Sequence, residues 1–114
     1  MATSQATADF ILEQISAAGP VSARKMFGEY GVYCAGKIVA LICDEQLYVK
    51  PTVAGRAQAG RMMPDGLREG SPYPNAKPHL LIPGEFWDDA DALSALIRIT
   101  AGELPSPAPK KKRK

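Results

Sequence analysis

The chain has 114 residues, 46% of them apolar and 23% charged, which fits one globular domain and leaves too little length for two. The formal net charge is +2, but five of the 14 basic residues form the C-terminal run 110–114, so residues 1–109 hold nine basic residues against 12 acidic ones and carry about −3. No apolar run approaches the ~18 residues that cross a bilayer, and the N-terminus shows no export signal. We therefore expect a cytoplasmic protein whose two cysteines stay reduced.

The first predicted element is a helix over residues 8–18. Apolar side chains recur there at helical spacing, and acidic residues lie in the N-terminal half, where they suit the helix dipole. Thr7 or Thr3 is a candidate N-cap, and Gly19-Pro20 ends the helix.

Short β-like runs divided by turn residues follow between residues 21 and 50. Ala35-Gly36 fits a two-residue hairpin turn, Asp44-Glu45 fits a second turn, and Gly28 fits a bend or bulge. The pattern predicts a meander of four antiparallel strands at 23–27, 29–34, 37–43 and 46–50. The third run is apolar on both faces, which predicts a central strand.

The second half of the chain predicts two helices separated by a long loop. Thr52 can cap a short helix over 53–60, and a proline-rich surface loop covers most of 61–84, with a short edge strand at 79–82. Asp88 or Asp89 leads into a last helix that ends near residue 101, with Gly102 as its C-cap. Leu93, Leu96, Ile97 and Thr100 form the inward stripe of that helix.

These elements predict an α+β fold, an antiparallel sheet of four to five strands with helices covering one face. We assign residues 1–104 to the folded domain. Residues 105–114 combine alternating prolines with the basic run Lys110, Lys111, Lys112, Arg113 and Lys114, so we expect a disordered tail.

The segment 24–33 reads Arg-Lys-Met-Phe-Gly-Glu-Tyr-Gly-Val-Tyr and is followed by the hairpin and by Leu47-Tyr48-Val49-Lys50. This pattern resembles the N-terminal domain family of TfoX (Sxy), and the resemblance covers roughly residues 8–101. It implies a sheet flanked by helices, similar to secretion chaperones. The better-known members are bacterial competence regulators with a second domain; they are not enzymes, and they help a cyclic-AMP receptor protein act at promoters.

The resemblance therefore implies a non-enzymatic bacterial regulatory or interaction domain, an accessory to transcription that contacts a protein partner. Relatives of this kind often dimerise, so a homodimer is among the expected assemblies. Two interpretations of the motif stay open. It specifies a bulged hairpin and its packing, or it builds a partner-binding surface from Arg24, Lys25, Tyr30 and Tyr33.

Residue sets for catalysis or metal binding are missing from the sequence. One histidine, His79, and two separated cysteines cannot supply a tetrahedral metal site. In the predicted register Cys34 faces Lys37 and Cys43 faces Gly28, about 20 Å apart, so we expect free thiols and no disulfide. A cluster of acidic residues marks a helix start: Glu85, Asp88, Asp89 and Asp91. We expect no catalytic residues and no cofactor.

Two further features have open interpretations. Phe86 and Trp87 either join the core or, with Tyr73, form an apolar patch for a partner. The C-terminal cations can bind nucleic acid without sequence preference, or they are merely solvated. The alternative function is therefore a sequence-nonspecific nucleic-acid-binding protein, although the negative charge of residues 1–109 argues against a basic face on the domain.

Overall fold

A computed structural model describes residues 3–26 and 29–104 and shows one antiparallel sheet with helices. The helices are α1 (Gln5–Gln14), α2 (Val53–Met62) and α3 (Ala90–Glu103), with 3-10 turns at Ser16–Ala18 and Gly84–Phe86. The strands are β1 (Val21–Met26), β2 (Glu29–Cys34), β3 (Lys37–Cys43), β4 (Gln46–Val49), β5 (Glu69–Gly70) and β6 (His79–Ile82). Their order in the sheet is β1-β2-β3-β4-β6-β5. The predicted α+β fold is confirmed.

Two tight turns join the strands of the meander, one between β2 and β3 and one between β3 and β4. Ala35 and Gly36 have φ of 53° and 82°, and Asp44 and Glu45 have φ of 55° and 63°. Positive φ at both central positions is the type I′ geometry, whose twist matches that of the flanking strands. Each turn therefore joins neighbouring strands in the predicted antiparallel order.

The register of β2 and β3 shifts by one residue within the ladder. Tyr33 pairs with Ile38, whereas Val32 pairs with Ala40, so Val39 is the extra residue of a bulge in β3. Beyond it Tyr30 pairs with Ile42, one position away from the register that the hairpin turn alone predicts. The bend predicted at Gly28 lies outside the described residues.

The three helices pack against one face of the sheet and close the core there. The predicted stripe of α3 is buried, and α1 contributes Ala8 and Ile11 to the same cluster. The largest fully buried side chains include Ile11, Ile15, Ile42, Leu47, Leu80, Ile82, Leu93, Leu96 and Ile97. Burial of this apolar surface stabilises the fold by roughly 25 cal/mol per Å².

Several predicted boundaries are wrong. Helix α1 begins at Gln5 with Ser4 as its N-cap, and it gives way after Gln14 to a 3-10 turn. Helix α3 runs through Gly102, and its C-cap is Leu104. The short strand β5 lies inside the predicted loop, so the sheet has six strands.

The aromatic pair after β6 belongs to the core side. Phe86 and Trp87 pack against the buried cluster, and Trp87 Nε1 donates a hydrogen bond of 2.8 Å to the Ile82 carbonyl. The structure therefore supports the core interpretation for these two residues. Tyr73 lies elsewhere, on an exposed loop.

Candidate functional site

The second face of the sheet carries the candidate site. Alternate residues of a strand point to opposite faces, and Tyr30, Val32 and Cys34 of β2 point into the core. The residues between them point away from it. A row of residues in register crosses that second face through Arg24, Gly31, Leu41, Tyr48 and Leu81. We call this side of the sheet the outer face.

The outer face holds a groove of about 880 Å³. Its apolar floor is formed by Met26, Ile38 and Leu41, and its wall by residues 72–74. None of the three α-helices contributes a lining residue. We call this depression the outer groove.

Gly31 gives the floor of the groove its shape. A Cβ at this position would collide with Met26 Cε and would lie 3.2 Å from Ile38 Cδ1. The absent side chain therefore lets Met26 from β1 and Ile38 from β3 approach each other across β2. The motif contains two glycines, and the close packing of Met26 and Ile38 on the outer face explains why one of them, Gly31, has no side chain.

The wall is a structured loop after β5. Ser71 Oγ donates a hydrogen bond of 3.1 Å to the Ala76 carbonyl, and the Ala76 N–H donates one of 3.0 Å to the Tyr73 carbonyl. Asn75 has a φ of 72° inside this turn. Tyr73 stands between two prolines and keeps 56% of its surface exposed. The wall thus presents an aromatic ring to solvent at the rim of the groove.

The two ends of the groove differ in charge. Glu29 and Asp44 line one end, where β3 turns into β4, and Lys50 lines the other, just past the end of β4. The Glu29 carboxylate accepts hydrogen bonds of 3.0 Å from the backbone N–H groups of Thr3 and Asp44. These donors hold the carboxylate in place at the acidic end.

Cys43 lies at the acidic end of the groove. Burial, together with the negative charges of Glu29 and Asp44, raises the pKa of its thiol to about 11. Burial also raises the pKa of Cys34, against the opposing effect of the positive charges of Lys37 and Arg98. Both cysteines are free, as predicted, and the Cys43 thiol is protonated at neutral pH.

The structure brings together only part of the predicted partner-binding set. Arg24 and Tyr33 lie on the outer face, with the Arg24 guanidinium 5.7 Å from the centre of the Tyr33 ring. Lys25 is exposed, but it alternates to the other side of β1. Tyr30 belongs to the core and keeps 6% of its surface exposed, although it touches one end of the groove.

Sequence reasoning missed most of the groove. We predicted only that β3 is a central strand, because it is apolar on both faces. Strict alternation would also group Ile38 with Ala40 and Ile42, whereas the bulge at Val39 turns Ile38 to the outer face beside Leu41. Tyr73 was a candidate for an apolar patch, and the structure places it at the rim of the groove. The tail cations at 110–114 lie outside the described residues.

Two of the remaining candidates for chemistry, His79 and Asp89, make local hydrogen bonds to the backbone. His79 is half-buried, and its Nδ1 lies 2.8 Å from the Lys77 carbonyl. Asp89 is the N-cap of α3 and accepts a hydrogen bond of 3.1 Å from the Ala92 N–H. Within residues 3–26 and 29–104, no group of three His, Cys, Asp or Glu side chains could hold a metal ion. No described helix is long and apolar enough to cross a membrane.

Comparison with known proteins identifies the family. The sequence matches the TfoX N-terminal domain over residues 13–103, a stretch that contains all six strands of the sheet and both later helices. The chain belongs to the TfoX N-terminal domain family. It is also 35% identical over 111 residues to an uncharacterized 12.7 kDa protein in the trpE 5′ region of Spirochaeta aurantia. That match covers 97% of this chain and 91% of the relative. The resemblance expected from the motif is confirmed.

Proposed function

We propose that this TfoX N-terminal domain is a non-enzymatic bacterial regulatory module that acts in the cytoplasm and docks a protein partner on its outer face. The observation that carries the proposal is the apolar outer groove, which lies on the side of the sheet opposite the helices. Apolar surface left open beside a complete core is typical of protein-interaction sites.

The side chains of the groove support binding more than catalysis. Glu29 is held by backbone donors, and the Cys43 thiol is protonated at neutral pH, so neither is poised as a nucleophile or a general base. Met26, Ile38 and Leu41 offer apolar contacts, while Tyr73 adds an aromatic ring of the kind that anchors interfaces.

The family supports a role as an accessory to transcription, including competence regulation. In that role the domain contacts a transcription factor instead of DNA bases, and the cyclic-AMP receptor protein is the partner that the resemblance implies. The outer face suits such a contact because it combines an apolar floor with charges of both signs at its ends.

A binding titration with purified cyclic-AMP receptor protein tests this function. We expect the wild-type chain to bind with a Kd in the range of about 1–100 µM, and Leu41→Arg to weaken binding at least ~10-fold, because a charge enters the apolar floor. Val53→Arg is the matched control, since Val53 is 85% exposed on α2 and does not line the groove. Thermal melts confirm that each variant folds.

Two outcomes contradict the proposal. Absence of binding by the wild-type chain at about 100 µM removes this receptor as the partner. Equal affinity of the Leu41→Arg variant and the wild-type chain removes the outer face as the docking surface.

The basic tail carries a second candidate function, weak binding of nucleic acid without sequence preference. Its support is the cluster of five cations at 110–114. Fluorescence anisotropy with a random DNA duplex should give a log–log salt slope near −4.5 for the full chain, about −0.9 per neutralised phosphate. Binding should vanish in a variant that ends at Leu104. Binding that survives this truncation assigns the nucleic-acid contact to the domain and contradicts the tail hypothesis.

A further inference from the structure

We infer that the chain's own C-terminal tail, residues 105–114, docks in the outer groove and covers its apolar floor until a protein partner displaces it. This inference rests on the proposed function, because it adds regulation to the same docking surface. The tail itself lies outside the described residues. Three properties point to the groove as its binding site: where the tail leaves the domain, how far it reaches and the order of its residues.

The tail leaves the domain at a fixed point beside β3. Leu104 packs against the buried cluster, and its carbonyl accepts a hydrogen bond of 2.9 Å from Nζ of Lys37, the first residue of β3. The neighbouring β2–β3 turn separates this point from the outer face, and its two residues, Ala35 and Gly36, are small and exposed. A Cβ on Gly36 would meet no described atom within 4 Å. The chain can therefore cross this end of the sheet without meeting a bulky side chain of the turn.

The length of the tail matches the path along the outer face. The chain of β3 covers about 23 Å from Lys37 to Asp44, at ~3.3 Å per residue. Ten residues follow Leu104, and in a polyproline II conformation they span about 31 Å at ~3.1 Å per residue. About 8 Å, together with the length of a basic side chain, therefore remains for crossing the end of the sheet. The last residues of the tail can reach the acidic end of the groove.

The order of residues in the tail matches the order of charges in the groove. The first five tail residues are uncharged and include three prolines, and the last five are all basic. Lys50 lies beside the near part of the path, because its N–H donates a hydrogen bond to the carbonyl of Val39. Glu29 and Asp44 lie at the far end. The neutral half thus passes Lys50 and the cationic half meets the two carboxylates, whereas the reverse order would place like charges together.

Both halves of the tail meet side chains of suitable chemistry. The Glu29 carboxylate accepts hydrogen bonds from neutral groups, two backbone N–H groups and a hydroxyl, so it keeps its negative charge for a cation. Proline-rich segments dock on grooves lined by aromatic rings. Tyr33 pairs with the floor residue Ile38 on the near part of the outer face, and Tyr73 is exposed at the rim. The aromatic rings therefore flank the path of the prolines.

Tethering makes weak contacts sufficient for docking. Exposed ion pairs are individually weak, but a short tether gives the tail an effective concentration on the order of 1 mM at the groove. A partner must then displace the tail, and its apparent Kd rises by the inverse of the fraction of chains whose groove is open. The tail therefore acts as an autoinhibitory element of the docking surface.

A nitroxide label at position 114 tests the inference in the full chain with no partner present. Lys114→Cys supplies the thiol, because the native Cys34 and Cys43 are buried and react slowly. At a chain concentration of about 50 µM, far below the effective concentration of a tethered segment, the ¹⁵N amide signals of Glu29, Cys43 and Asp44 should lose intensity. The loss should reverse at about 1 M salt, where the Debye length is only ~3 Å.

Variants of the tail provide matched controls. In the labelled chain, Lys111→Glu combined with Lys112→Glu should abolish the loss of intensity, whereas Lys111→Arg combined with Lys112→Arg keeps both charges and should preserve it. In the unlabelled chain, the charge-reversed pair should also lower the receptor Kd by about 2–10-fold, because the groove is then open. All these changes lie beyond Leu104, so each variant should keep the wild-type melting temperature.

Three results overturn the inference. Intensity loss confined to residues near Leu104 and Lys37 shows that the tail does not reach the groove. Loss of the same outer-face signals in ¹⁵N chains mixed with labelled ¹⁴N chains shows that the tail of a second copy fills the groove. A higher receptor Kd for the charge-reversed pair shows that the tail assists the partner instead of competing with it.

Failure of this inference is distinguishable from failure of the proposed function. Intensity loss at the acidic end, combined with receptor binding that ignores Leu41→Arg, keeps the docked tail and removes the receptor from the outer face. Receptor binding that depends on Leu41, without any intensity loss from the label, keeps the docking surface and removes the tail from it.

Discussion

Gly55 provides a sharp test of how the two later helices pack. It lies in the first turn of α2, where its N–H donates a hydrogen bond of 3.0 Å to Oγ1 of the N-cap Thr52. A Cβ at Gly55 would lie 2.6 Å from Thr52 Oγ1 and 2.9 Å from Oγ1 of Thr100 on α3. Since both distances are shorter than real Cβ contacts, Gly55→Ala must displace the Thr52 cap, rotate the Thr100 side chain or separate the helices.

Three contributions to the free energy of unfolding decide whether Gly55→Ala stabilises or destabilises the chain. Alanine improves helix propensity by at most about 1 kcal/mol. Loss of the Thr52 cap costs about 1 kcal/mol, and forcing a methyl group into a packed contact costs roughly 1–3 kcal/mol. We therefore expect Gly55→Ala to lower the free energy of unfolding by about 1–3 kcal/mol, with a fall in Tm of roughly 5–15 °C.

Gly60 is the matched control, because it lies in the same helix and the space that a Cβ there would occupy is open to at least 4 Å. Gly60→Ala should raise stability by about 0.5–1 kcal/mol. Urea unfolding followed by fluorescence of Trp87, the one tryptophan in the sequence, measures both changes. If Gly55→Ala stabilises the chain as much as Gly60→Ala does, the close α2–α3 contact is wrong.

Three further predictions concern polar groups. Hydrogen bonds, first from Thr7 and then from Ser4, lower the pKa of Glu45 below its ordinary value. Its carboxylate therefore stabilises the fold above that ordinary value, and the contribution is lost as the pH falls through the lowered pKa. The difference in stability between the wild-type chain and Glu45→Gln should shrink as the pH is lowered through the acidic range, and a difference independent of pH contradicts this. Lys37 Nζ donates hydrogen bonds of 2.7 and 2.9 Å to two carbonyls at the end of α3. Lys37→Met should therefore lower the free energy of unfolding in urea by about 1–2 kcal/mol. An unchanged urea midpoint refutes the contact. The last prediction uses a chain in which Cys34 is replaced by alanine, so that Cys43 is its one thiol. At pH 8 Cys43 in the folded chain should react with a thiol reagent at least ~100-fold more slowly than in the urea-unfolded chain, because folding raises its pKa to about 11. Equal rates contradict the burial of Cys43.

The sequence predicted the central meander well because its signals are local. The turns at Ala35-Gly36 and Asp44-Glu45 divide apolar runs at fixed points, so β2 and β3 have the predicted bounds. The inward stripe of α3 follows from a period of 3.6 residues. These features depend on neighbours in the chain, which a single sequence displays directly.

Features that depend on distant contacts were missed. Ser4 is the N-cap of α1, whereas the two predicted candidates use their hydroxyl groups elsewhere. Thr3 donates to the Glu29 side chain and Thr7 donates to the Glu45 side chain, and both acceptors are distant in the sequence. The bulge at position 39 and the two-residue strand β5 likewise arise from pairing in the sheet. No local pattern marks them.

The candidate site was likewise predicted only where its signals are local. The motif predicted that β1 and β2 form a hairpin, and Arg24 and Tyr33 of that hairpin lie on the outer face. Alternation separates the two faces of β3 from Ala40 onward, but the bulge at Val39 turns Ile38 to the outer face, which alternation does not predict. The sequence does not show that the helices cover only one face of the sheet, because the placement of helices depends on tertiary contacts. The groove between Leu41 and Tyr73 therefore needed the structure.

The account rests on the claim that the outer face is a docking surface, and amide-shift mapping tests it most directly. Spectra of the ¹⁵N-labelled chain would be recorded as the unlabelled receptor is added. We predict that the shifted amides cluster on the row through Gly31, Leu41 and Tyr48 and on the loop at Tyr73. Shifts confined to the exposed sides of α1, α2 and α3 would contradict the claim.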